Sequence, residues 1–170
     1  SQITLSATVI HAGLLIDGES SVPLPEMSII IEGTKIQAIE AGFITPDSED
    51  EYIDLVGYTV LPGLMDMHVH LSSEYSKNSY QERITQNASD YAIRAVANAE
   101  KTLQAGFTTV RNLGDSDGVT ISLRNAIQKG IVSGPRIFSS GKTIASSGGH
   151  GDPTNSLNKS LTSNPGPAKG

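Results

Sequence analysis

No cysteine occurs anywhere in the sequence. Disulfides and thiolate metal sites are therefore excluded, and any metal has to be held by histidine, oxygen or lysine-derived ligands. The compartment stays open, because a chain without thiols suits reducing and oxidising surroundings alike. Concentrated positive charge is also missing. The 12 Lys and Arg residues are outnumbered by 18 Asp and Glu, for a net charge of -6. The basic residues form no cluster, so nucleic acid is not an expected partner: phosphate binding needs grouped cations. No apolar run approaches the ~20 residues that span a bilayer. The opening Ser1-Gln2-Ile3-Thr4 lacks the charged-then-apolar pattern of an export signal. The expectation is a soluble protein with no membrane partner, either cytoplasmic or exported with its signal removed.

What is present has a globular balance, 37% apolar against 18% charged residues, which argues against a disordered or fibrous chain. The 170 residues suffice for one ordinary domain but fall short of the roughly 250 that a closed TIM barrel takes. Ile3, Leu5, Ala7 and Val9 alternate with Thr4, Ser6 and Thr8, the period of a half-buried strand. Asp17-Gly18 reads as a turn, and Glu32-Gly33-Thr34 as the tip of a hairpin between Ser28 to Ile31 and Lys35 to Ile39. Acidic Asp47 to Glu51 precedes a short strand predicted over Tyr52 to Leu55. Residues 1–58 are thus expected to form a small β layer, in which His11 has no assigned role.

After Gly57 the pattern changes to alternating strand and helix. Thr59 to His70 is predicted as one buried strand, interrupted near its start by Pro62-Gly63. Ser79 and Glu82 match a capping box at a helix start. Beyond it Ala88, Ala92, Ala95, Val96, Ala99 and Leu103 recur at helical spacing as far as Gly106. Phe107 to Leu113 is the next strand, and Asp117 the expected cap of a helix from Val119 to Lys129. Arg136 to Ser140 follows the Gly134-Pro135 break as a third strand. This order predicts a parallel sheet with right-handed crossovers. From Gly141 the composition turns to Gly, Ser, Asn and Pro, ending in Asn164-Pro165-Gly166-Pro167-Ala168-Lys169-Gly170, so the chain is expected to stop inside a connection. Three parallel strands leave edges and one face uncovered. A remainder is therefore expected, as further sequence or as a partner chain.

Asp66, His68 and His70 occupy alternate residues, which in a regular strand places all three on one face. Two imidazoles ~7 Å apart along a strand can converge on a cation of zinc type. An isolated His-x-His equally fits two histidines that merely flank a buried valine near a strand end. The surrounding residues bear on that choice. The run Val60-Leu61-Pro62-Gly63-Leu64-Met65-Asp66-Met67-His68-Val69-His70 resembles the first barrel strand of the amidohydrolase superfamily, an apolar strand with Pro-Gly followed by Asp-x-His-x-His. The resemblance continues through Ala105-Gly106-Phe107-Thr108-Thr109-Val110-Arg111 and Gly134-Pro135-Arg136-Ile137 and covers essentially the whole chain. Gly141-Lys142-Thr143-Ile144 and Gly148-Gly149-His150-Gly151-Asp152 look most like the Xaa-Pro dipeptidase and arginine-carboxypeptidase-like subgroup.

The resemblance implies an α/β fold: the first three strand-helix units of a TIM barrel over residues 59–170, preceded by part of a small β-sandwich domain over residues 1–58. It implies that His68 and His70 are metal ligands of a site that holds two divalent ions, zinc by expectation, in the complete protein. Asp66 would support rather than ligate. The remaining family ligands, a carboxylated Lys after the fourth strand, later histidines and a late Asp, fall outside this sequence. Lys142 follows the third strand by count and is not taken for the bridging lysine. His150 is read as a contact to the substrate carbonyl or carboxylate, against the alternative of a loop histidine without function. Arg111 is expected to pair with Asp115, or else with a substrate carboxylate; Tyr75 and Tyr80 are loop aromatics given no role.

The implied chemistry is hydrolysis of an amide or peptide bond by a metal-activated hydroxide. The substrate would be a dipeptide, small peptide or other amide, the complete protein a homo-oligomer, and the segment alone inactive. Alternatives are an imidazolonepropionase-like cyclic amidohydrolase or deaminase, and a non-catalytic truncated relative.

Overall fold

The computed structural model describes residues 6–115, 117–152 and 154–155. The chain divides into two compact units, one ending at Pro62 and the other beginning at Gly63.

The first unit is a sheet of β1 (Thr8–Leu15), β2 (Leu24–Glu32), β3 (Lys35–Ala41) and β4 (Glu51–Val60) in the order β3-β2-β1-β4. Strands β1, β2 and β3 pair antiparallel, and β4 runs parallel to β1. The hairpin predicted at Glu32-Gly33-Thr34 forms, with Gly33 at a φ of 59°, a left-handed value that a residue without Cβ adopts at little cost. Ala12, Leu15, Met27 and Ile29 are buried in its core. Two expectations change here. The first strand begins at Thr8, the predicted alternation at Ile3 to Leu5 lying outside the described residues. The short strand expected over Tyr52 to Leu55 runs to Val60, because Thr59 and Val60 pair with Leu14 and Leu15. That pairing survives a register shift after Ala12, where Gly13 lies so close to the Val56 carbonyl that a Cβ would collide with it. His11 is buried there: its Nε2 donates to the Ile44 carbonyl at 2.8 Å, the Tyr52 hydroxyl donates to its Nδ1 at 3.1 Å, and Phe43 stacks on the ring at 4.8 Å. Both ring nitrogens are satisfied, which makes His11 a structural histidine.

The second unit contains β5 (Leu64–Val69), α1 (Ser79–Thr85), α2 (Ala88–Gln104), β6 (Phe107–Asn112), α3 (Val119–Gln128) and β7 (Arg136–Ser139). Its strands form a parallel sheet in the order β5-β6-β7. Small alanines let α2 approach the sheet: Ala95 and Ala99 join Val119 and Leu123 of α3 against Val110 and Ile137. Each of these larger aliphatics contributes about 1.5–3 kcal/mol through burial. The neighbouring positions on the other face, Arg111, Arg136 and Phe138, are exposed, Phe138 at 58%. Helices thus cover one face of this sheet among the described residues.

Local chemistry changes how the helices begin, although α3 starts at Val119 as expected. Ser79 is the first residue of α1 rather than its cap, its Oγ donating to the Ser76 carbonyl at 2.7 Å while the Ser76 hydroxyl donates to Glu82 at 2.9 Å. A separate helix, α2, starts after Asn87, whose N–H donates to the Asp90 carboxylate at 2.8 Å. Asp117 does not cap α3; it takes a φ of 59°, and the Asp115 carboxylate accepts the Thr120 N–H at 2.9 Å instead. The helical pattern is visible in apolar spacing, whereas a cap depends on which nearby carboxylate the loop folds back.

Candidate metal centre

The strand expected over Thr59 to His70 is broken: β5 proper begins at Leu64 and ends at Val69. Gly63 precedes it at a close approach to the Thr108 side chain that leaves no room for a Cβ. Within β5 the alternation is also interrupted. Asp66 aligns with Val110 and Val69 with Asn112, with a register shift between them. Val110 and Asn112 are both fully buried positions of β6. Asp66 and Val69 therefore both match the helix-covered side, which strict alternation forbids for residues three apart. At this irregularity Asp66 Oδ1 accepts the His68 N–H at 2.9 Å, a local bond that holds the chain out of regular pairing. Asp66 thus supports His68 through the backbone, and the expectation that it shares a face with both histidines is corrected.

His68 and His70 flank Val69 and are both exposed. Their rings meet edge to face, 5.5 Å between centroids at an interplanar angle of 66°. His70 Nδ1 lies 3.2 Å from the Gly114 carbonyl oxygen. A carbonyl only accepts, so the bond requires the proton on Nδ1 and leaves Nε2 with its lone pair for a cation. A backbone carbonyl on the far nitrogen is the usual partner of a metal-binding histidine. The donor set, two neighbouring imidazoles with one so oriented, fits one side of a zinc-type site. It does not complete one: among the described residues no third His, Asp or Glu joins the pair.

The loops around this pair are tied by polar groups. The buried Asn112 side chain accepts the Leu71 N–H at 2.8 Å, and the Asn98 side chain donates to the Leu71 carbonyl at 2.9 Å. A cavity of about 230 Å³ lies beside His70, between the end of β5 and α2, with Ser73, Glu74 and Lys101 in its wall. Arg111 does not pair with Asp115. Its Nε donates to the Met67 carbonyl at 2.7 Å, bracing the β5 irregularity, while Asp115 is engaged by Thr120. Sequence reading missed the Arg111 partner, because a backbone carbonyl has no side-chain signature.

His150 is exposed in a turn. That turn is closed by Asp152, whose carboxylate accepts the Gly148 N–H at 2.8 Å and the Thr154 N–H and hydroxyl at 2.8 and 2.7 Å. The Gly148 bond first, and those from Thr154, hold the Asp152 carboxyl below its usual range. Lys142 is exposed after β7, as are Tyr75 and Tyr80 after β5. Residues 156–170 of the predicted terminal connection lie outside the described residues.

Residues 59–169 match the amidohydrolase family. The chain belongs to that family. This amidohydrolase is 51% identical to a Xaa-Pro dipeptidase solved with methionine bound in its active site, with a TM-score of 0.84 over 91% of this chain and 38% of that one. A prolidase solved with N-methylphosphonate-L-proline is 35% identical, with a TM-score of 0.72 over 85% of this chain and 34% of that chain. Among curated proteins, ochratoxinase of Aspergillus niger is 28% identical over 151 residues, 85% of the amidohydrolase chain and 30% of that relative. The chain thus spans about a third of the length of these relatives.

Proposed function

We propose that this chain is the N-terminal part of a metal-dependent hydrolase of amide bonds, specifically a dipeptidase of the Xaa-Pro dipeptidase type. The carrying observation is the imidazole pair His68 and His70, one ring oriented by the Gly114 carbonyl, in a chain half identical to a Xaa-Pro dipeptidase. The exposed sheet face bearing Arg111, Arg136 and Phe138 is read as the interior of a TIM barrel whose remaining strands, bridging lysine and later ligands are supplied outside this sequence. The first unit is read as part of a β-sandwich domain, and the complete protein as a homo-oligomer.

In this reading His68 and His70 hold one of two divalent cations, zinc by expectation. When bound, such ions polarise the scissile carbonyl and make hydroxide available near neutral pH. The chain's own contribution is orientation: the Gly114 carbonyl orients the His70 ring, and the Asp66 bond to the His68 N–H holds the backbone that carries the second imidazole. His150 is placed as a contact to the substrate carbonyl or carboxylate.

The test uses the full-length protein. Metal analysis of His68→Ala should show most of the bound metal gone, and hydrolysis of Xaa-Pro dipeptides should vanish with it. Undiminished metal in that variant would refute the ligand assignment.

A further inference from the structure

We propose that Asn112 is a positioning residue for His70, selecting its tautomer through the Gly114 carbonyl. Asn112 ends β6 with none of its surface exposed. Its Oδ1 accepts the Leu71 N–H at 2.8 Å, pinning the residue directly after His70. Its Nδ2 donates at 3.3 Å to the Gly114 carbonyl, the same oxygen that His70 Nδ1 approaches at 3.2 Å. One carboxamide therefore fixes both the backbone that carries the histidine and the acceptor that takes its proton.

The carboxamide's own orientation is set by a chain of donors with one direction. The Gly141 N–H donates to Ser139 Oγ at 3.0 Å, and Ser139 Oγ and Thr120 Oγ1 are 2.7 Å apart. The Thr120 hydroxyl bonds the Asp115 carboxylate, which only accepts, so the threonine proton is committed there and its lone pairs face Ser139 and Asn112. Asn112 Nδ2 fills the second position, donating to Thr120 Oγ1 at 3.3 Å. With the amide nitrogen committed to that side, Oδ1 turns to Leu71. Gly114 is held in turn: its φ is 153°, and the Thr143 side chain occupies the space a Cβ would need. A carbonyl fixed in this way leaves His70 one favoured tautomer, with Nε2 unprotonated.

The test has an arm that needs no metal. In the metal-free full-length protein, ¹⁵N and ¹³C shifts of the His70 ring should report the Nδ1–H tautomer. An Nε2–H tautomer in the unmodified protein would overturn the proposal, whatever any variant does. In Asn112→Asp the Leu71 acceptor is kept and the amide donor is lost, so the His70 tautomers should mix. A folded variant, verified by its unfolding transition, whose His70 stays on Nδ1–H would also overturn it. The metal arm rests on the proposed function: zinc affinity of Asn112→Asp should fall about 10–100-fold. A shifted tautomer with unchanged zinc affinity would uphold the positioning by Asn112 and sink the ligand role of His70 instead.

Discussion

His150 and Asp152 stand two residues apart in one turn and have different jobs. Asp152 holds the turn together: hydrogen bonds from Gly148 first and from Thr154 lower its carboxyl from an ordinary value near 3.8. A depressed carboxylate stabilises the fold above its unfolded value, and that contribution is lost as pH falls through the folded one. Amide protection of Gly148 and Thr154 should therefore be flat from neutral pH into the ordinary carboxylate range and drop only below it. Asp152→Asn should abolish that acid step, and protection already falling near pH 6 would contradict the assignment. His150 is exposed beside it. His150→Asn in the full-length enzyme is expected to lower kcat/KM about tenfold, the worth of one hydrogen bond of ~1.5 kcal/mol, with bound metal unchanged. Loss of metal in that variant would make it a ligand instead.

At the scale of elements, the strands and helices follow from periodicity, and their ends follow from loops. The apolar positions of α2 and α3 that the spacing selected, Ala95, Ala99 and Leu123, are the ones buried against β6 and β7. The cap of α3 differs from the expected one because Asp115 and Asp117 both lie near its start and only folded geometry decides which reaches the free N–H. The consequence is measurable for α3. Asp115→Ala should cost about 0.5–2 kcal/mol in urea unfolding, whereas Asp117→Gly, which suits the φ of 59° there, should stay within about 0.5 kcal/mol. Equal losses would restore Asp117 as the cap. The β5 irregularity was equally hidden. Asp66-x-His68-x-His70 reads as perfect alternation, yet Asp66 pairs with Val110 and bonds the His68 N–H, so the bulge separates it from the histidines it seemed to accompany.

For the whole molecule, the exposed Phe138, Met65 and Ile144, at 58%, 68% and 64%, belong to a sheet unit covered by helices on one face. Large apolar side chains in that state favour association. The 170-residue chain expressed by itself is expected to self-associate in light scattering and to be cut readily by protease. A compact, protease-resistant monomer would count against a barrel completed by further strands.

The residues alone determined the change from a β layer to strand-helix units, the amidohydrolase resemblance and the imidazole pair, because each is written in local order: alternation, helical spacing, and two histidines separated by one residue. Tertiary structure alone decided which way those side chains are braced. The Gly114 carbonyl meets His70 44 positions along the chain and Asn112 meets Leu71 41 positions along it, and Arg111 reaches Met67 across 44. Such bonds join buried amides, carbonyls and hydroxyls that have no periodic signature. They exist only once the sheet has brought distant backbone within ~3 Å.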